Sequence, residues 1–149
     1  MKKVRARPQT KRSFSRICLI VSAIVVLAAC STISTYDKAA YEHATNAKVD
    51  SLALMEKATE NWSDHQKEIE ALTNELDKAY EYDRGRQLNR MTAAQWEILR
   101  DPDRNLVGGF LKTWKTKGSL SVIFVTEKKA QVADAFDQII QLESGKLKQ

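Results

Sequence analysis

The chain has 149 residues, 29% of them charged, with a formal net charge of +5 and two cysteines. That length supports one modest hydrophobic core. The basic balance invites a nucleic-acid reading, but seven of the 24 basic residues precede Cys30 and all 19 acidic ones follow it. Residues 30–149 therefore hold 17 basic against 19 acidic groups, and no nucleic-acid partner is implied.

The N-terminal segment carries Lys2, Lys3, Arg5, Arg7, Lys11, Arg12 and Arg16 and no acid, followed by a largely apolar run from Ile17 to Ala29. A basic region, an apolar region and small residues before a cut site describe a secretory signal peptide. The apolar run reaches about 20 Å as a helix, against roughly 30 Å of hydrocarbon, so it is too short for a transmembrane anchor. Lys11-Arg12 lacks the paired arginines of a twin-arginine signal. With cysteine directly after the small pair, Leu27-Ala28-Ala29-Cys30 resembles the lipobox of bacterial lipoproteins. The resemblance implies cleavage between Ala29 and Cys30, a diacylglycerol thioether on Cys30 and an acyl group on its new amine. At about 0.8 kcal/mol per buried methylene, two or three such chains anchor a protein durably. Ser31, in place of a retention aspartate, points to the periplasmic face of an outer membrane where the cell has one, and otherwise to the outer face of the plasma membrane. With Cys18 discarded and Cys30 acylated, no thiol remains for a disulfide.

The organisation expected is a cleaved signal peptide over 1–29, a lipidated cysteine and short tether over 30–36, and a single helical domain over 37–149. Between Ser31 and Arg84 there is neither glycine nor proline, which favours helix. Ala40, Ala44, Ala47, Ser51, Leu54 and Ala58 recur at spacings of four and three and form a seam of small residues. Ser63-Asp64-His65-Gln66 has the form of a capping box, ahead of a stripe of Ile69, Leu72, Leu76, Ala79 and Tyr80 that ends near Gly85. The two segments read as a long helical hairpin, because neither stripe sits comfortably exposed in a monomer. Thr92-Ala93-Ala94-Gln95 repeats the capping pattern before Trp96, Ile98 and Leu99, and Asp101-Pro102-Asp103 stops that helix. Leu106, Phe110 and Trp114 share the next helical face, with Gly108-Gly109 as a weak point or a close-packing site and Gly118 as its end. Val122 to Val125 alone would pass for a strand. Val132, Ala133, Phe136, Ile139 and Ile140 continue at helical spacing, so the segment reads as a helix from a Ser121 cap to about Ser144, stopped by Gly145. The fold class is all-α, a small bundle of four to five helices.

Chemistry-bearing motifs are few. His43 and His65 are the only histidines, and with no cysteine left to join them they read as solvated helix residues, not metal ligands. No carboxylate pair has an acid/base context, and no nucleophile elbow, phosphate loop or zinc-protease motif is present. No catalytic residue, metal or cofactor is assigned; the only covalent group expected is the lipid on Cys30. Lys78, Tyr80, Tyr82, Arg84, Arg86 and Arg90 form the most unusual polar cluster. Aromatic faces with guanidiniums suit glycan, anionic headgroups or an acidic partner; cations near a helix C-terminus also simply complement its dipole. Trp96 and Trp114 lie on apolar stripes and read as core, whereas Trp62, beside a helix break, reads as an exposed contact. The candidate interaction surface is therefore Trp62, Tyr82, Arg84, Arg86 and Arg90.

The architecture resembles that of small helical envelope lipoproteins, a likeness that transfers no site residues. The function expected is a non-catalytic, membrane-anchored periplasmic protein that binds another protein or the envelope matrix, with the alanine seam from Ala40 to Ala58 as the exposed partner face. The alternatives are an envelope hydrolase or small-ligand binder, and a lipoprotein that self-associates through the heptad-like stretch from Ile69 to Tyr80.

Overall fold

Asp37 opens the first helix of the computed structural model, which describes residues 33–146; the signal peptide and Cys30 lie outside the described residues. The Asp37 carboxylate accepts from the Ala40 N–H at 2.9 Å, satisfying one of the orphan donors of α1, Lys38–Glu56. Two short 3-10 turns, Lys57–Thr59 and Trp62–His65, lead to α2, Gln66–Gly85. Helices α3 (Arg90–Arg100), α4 (Val107–Lys117) and α5 (Val122–Gly145) complete the fold, and no strand occurs among the described residues. None of these helices is long and apolar enough to cross a membrane.

The alanine seam sets the packing. Ala40, Ala44, Ala47, Ser51, Leu54 and Ala58 are all buried, because α2 and α5 both lie against α1. The seam expected to stay open as a partner face is thus closed within the chain. Its small side chains admit two neighbouring helices at close range, and that internal use leaves nothing of it for a partner. Helices α1 and α5 run antiparallel: the Asp37 N–H donates to Glu143 at one end, and the Leu120 N–H donates to the Ala58 carbonyl at the other.

The core is completed by Trp96, Leu99, Phe110, Trp114, Val132, Phe136 and Ile139. Each large apolar side chain so buried contributes about 1.5–3 kcal/mol. Trp96 meets Phe136 edge-on with centroids 6.0 Å apart, an arrangement favoured by the ring quadrupoles.

Helix starts depart from the expected caps. Ser63 does not cap α2; its hydroxyl turns to Asp64, and Trp62–His65 forms a 3-10 turn ahead of Gln66. Thr92 lies buried inside α3, whose N-cap is Asn89, with the Asn89 side chain turned inward instead of onto the helix end. Ser121 does cap α5, accepting from the Phe124 N–H at 3.3 Å. Val122 to Val125 are helical: their β propensity is outweighed by the apolar register that continues to Ile139. Gly118, at φ +78°, ends α4 in a left-handed conformation that suits glycine. Gly108 and Gly109 are a close-packing site, since a Cβ on either would overlap the carbonyl of Arg100 or of Arg104. Leu88 is the one described non-glycine residue with positive φ, at +60°, a conformation that costs an L-residue roughly 1–2 kcal/mol.

Candidate functional site

The most polar buried region lies where the chain enters the fold. Asp83 and Glu143 are each 1% exposed, yet Asp83 continues the apolar stripe of α2 and Glu143 that of α5. Two acids in a core require compensation, and Arg86 and Lys146 supply it. Arg86 donates to Asp83 at 3.0 Å, to both oxygens of Glu143 at 3.2 Å and to the Thr35 carbonyl at 2.6 Å. Lys146 donates to Glu143 and, at 2.8 Å, to the Asn89 side-chain oxygen. Asn89 in turn donates to Asp83 at 2.7 Å, and the Trp96 indole N–H takes the other Asp83 oxygen at 2.7 Å. Burial pulls the Arg86 pKa down, but its hydrogen bonds to Glu143 and Asp83 outweigh that effect, and the net shift is upward.

The same cluster fastens residues 34–37. The Ser34 hydroxyl donates to Asn89 at 2.9 Å, the Ser34 N–H donates to the Leu88 carbonyl at 3.2 Å, and the Asp37 N–H donates to Glu143 at 2.7 Å. Tyr82 closes the edge by donating to both Asp37 oxygens at 3.1 Å. The Asp37 pKa is lowered, chiefly by the Ala40 N–H, and the Tyr82 pKa is raised, first by desolvation and then by its bond to Asp37. Two acids and two bases balance in charge, and all four carboxylate oxygens of Asp83 and Glu143 are engaged. The arrangement is chemically a clamp.

A second constellation forms at the opposite end of α1. His65 sits between Glu68 at 2.9 Å and Glu60 at 2.8 Å, with its side chain only 12% exposed. Its ring lies against Trp114 at a centroid distance of 5.6 Å, and Trp62 meets Trp114 edge-on at 5.3 Å. The hydrogen bond to Glu68 leads in raising the His65 pKa, burial opposes it, and Glu60 adds to the rise. Glu68 is held low, first by Lys57 and then by His65. Between these ends, a groove of about 260 Å³ runs along α1 and α2, lined by Asp50, Ala53, Leu54, Lys57, Glu68 and Glu75 among others. Burial, then the neighbouring Asp50, raises the Glu75 pKa. No group of three or more His, Cys, Asp or Glu side chains with metal-binding geometry occurs among the described residues.

The residues singled out from sequence separate spatially. Trp62 is half-buried against Trp114 at the far end from the clamp. Arg86 points inward into the clamp, Tyr82 rims it, Arg84 pairs with Glu81 on the surface at 3.1 Å, and Arg90 is exposed. Lys78 is exposed, and Tyr80 packs under Arg100, whose guanidinium carbon stands 4.1 Å from the ring centroid. His43 lies beside Tyr82, at 5.3 Å between ring centroids. Sequence reasoning missed Ser34, Asp83, Asn89, Glu143 and Lys146. The readable signal was an acid on an apolar stripe: Asp83 follows Ala79, and Glu143 follows Ile139, at a spacing of four.

The chain matches no protein-family model, and no curated protein or solved structure matches it.

Proposed function

We propose that this chain is a lipid-anchored envelope protein, cut before Cys30 and held by acyl groups on that residue at the periplasmic face of the outer membrane. Its helical domain serves a non-catalytic role in binding another protein or the envelope matrix. The observation that carries the reading is the order of seven basic residues, an apolar run and Leu27-Ala28-Ala29-Cys30. The clamp supports it: residues 34–37, which include the last three positions of the expected tether, are bound to the ends of α2 and α5 at once. Within the domain we read α1 and α2 as the long N-terminal hairpin. The non-catalytic part of this reading is supported by how the ionisable clusters are spent, since His65 is held by Glu60 and Glu68, and the buried Asp83 and Glu143 by Arg86 and Lys146.

The test is crosslinking in intact cells with an affinity tag after Gln149, comparing wild type with Cys30→Ser, followed by mass spectrometry. Acylated Cys30 and a defined partner captured only by the anchored form are expected. An unprocessed N-terminus refutes the anchor. An acylated protein that captures only itself refutes the partner and moves the reading to self-assembly.

A further inference from the structure

The clamp has an apolar outer edge. Ile33, Leu88 and Met91 are 41%, 51% and 61% exposed; Ile33 precedes Ser34, Leu88 is bonded to Ser34, and Met91 stands three residues on in the first turn of α3. Leu88 is bound through its carbonyl, which accepts from the Ser34 N–H, and its neighbour Asn89 accepts from the Ser34 hydroxyl. Asn89 must turn inward to reach Asp83, and Leu88 takes up the left-handed conformation beside it. The strain therefore holds an aliphatic side chain outward, half in solvent, where it adds little to the core. A strained residue with no packing return is the kind of outlier from which a contact is inferred.

What lies opposite this edge follows from chain length. Cys30 lies four positions before Ser34, so their Cα atoms are at most about 14 Å apart. On the lipoprotein reading, on which this inference rests, Ser34 stays within that reach of Cys30, Ile33 lies between the two, Leu88 is bonded to Ser34, and Met91 follows three residues on in the first turn of α3. Arg90 stands between Leu88 and Met91, exposed and with no acidic partner among the described residues. Aliphatic side chains interleaved with an unpaired guanidinium match an interface of acyl chain beneath anionic headgroup. Val122 and Ile123 are also exposed, but they open α5 beside the far end of α1, roughly 28 Å away along a 19-residue helix.

We propose that Ile33, Leu88 and Met91, with Arg90, insert into the headgroup and upper acyl layer of the phospholipid bilayer that holds Cys30, and so fix the domain's orientation on the membrane. The full chain, processed in a Gram-negative host and reconstituted into vesicles of phosphatidylethanolamine and phosphatidylglycerol, carries a polarity-sensitive fluorophore at Met91→Cys or, as control, at Ile123→Cys. Both positions are exposed, so neither substitution threatens folding, and circular dichroism verifies it. The expected result is blue-shifted emission at 91, quenched several-fold more by shallow spin-labelled lipid than at 123, with Leu88→Ser abolishing the difference. Equal, water-like behaviour at both positions with Cys30 acylated by intact mass overturns the bilayer contact and leaves the anchor standing. A blue shift at 91 without lipid quenching means that protein covers the edge, and also overturns it. A Cys30 found without lipid overturns the anchor, and the contact with it.

Discussion

Replacing Arg86 by methionine tests the clamp most directly. The guanidinium makes four hydrogen bonds, to three carboxylate oxygens and the Thr35 carbonyl. Methionine preserves much of the aliphatic volume but leaves Asp83 and Glu143, each 1% exposed, with Lys146 as the only cation in the cluster. Removing one member of a buried ionic network costs about 3–5 kcal/mol, because an uncompensated charge stays behind. Unfolding entropy near 2.1 cal/mol/K per residue gives the roughly 110 folded residues about 0.23 kcal/mol/K, so Tm should fall by about 13–22 °C. Arg86→Lys should lose less, since it keeps the charge but cannot span Asp83 and Glu143 with one rigid fork. Arg86→Met combined with Glu143→Met should recover part of the loss, because one acid and one base then remain. The assay is thermal unfolding followed by circular dichroism, with urea titration to check that the m-value is unchanged. A loss below about 1 kcal/mol for Arg86→Met, or a further loss in the double variant, would refute the reasoning.

Three further outcomes follow from single sites. Gly109→Ala forces a Cβ into the Arg104 carbonyl, which is backbone and cannot swing aside; overpacking of this kind costs about 1–3 kcal/mol, read as a lower urea midpoint. Ser51→Ala removes a hydroxyl that is fully buried without a hydrogen-bond partner, and should raise stability by about 1 kcal/mol in the same titration. His65 has a folded-state pKa raised above its ordinary 6.5 by Glu68 and Glu60, so its contribution is full below 6.5 and fades as pH rises through the folded value. An NMR titration of the His65 ring should give a midpoint above 6.5 that returns toward it in Glu68→Gln, and His65→Gln should flatten the pH dependence of Tm above 6.5.

The apolar skeleton of this fold was legible because helix registers are local. The stripes through Ile69, Leu72 and Leu76 and through Phe136 and Ile139 are buried as their spacing implies, and Trp96 and Trp114 are in the core. What covers a stripe was not legible. The alanine seam reads alike whether its neighbour belongs to the same chain or to another, and only the antiparallel return of α5 decides the matter. The capping boxes misled for a related reason: a hydroxyl followed three residues later by glutamine also occurs inside a helix, as at Thr92, where the true N-cap three residues earlier spends its side chain on the clamp. The arginine cluster divided because a guanidinium is equally suited to solvent and to a pair of buried acids, and Glu143 lies 57 residues from Arg86. Trp62 is half-buried because its partner Trp114 stands on a different helix, which the local sequence could not show.

The placement of the clamp argues for a role that stability alone does not require. Apolar replacements of buried ion networks are often neutral or stabilising, so an apolar layer of the same volume would hold α2 against α5 equally well. Such a layer would not discriminate the chain that enters between them. Ser34, Thr35 and Asp37 are recognised through directional bonds, one backbone carbonyl to Arg86, one hydroxyl to Asn89 and one backbone N–H to Glu143, so a slip of a single residue breaks all three. Three polar partners therefore set the register at which residues 34–37 join the bundle. On the proposed reading, a pull on Cys30 is shared among α1, α2 and α5 from its first residue of contact, and α1 cannot be peeled away alone. On the same proposal, register also sets how far the Leu88 edge stands from Cys30. If Cys30 carries the proposed anchor, the clamp, the strained Leu88 and the short segment before Ser34 act as one device that presents the domain at a fixed height and orientation.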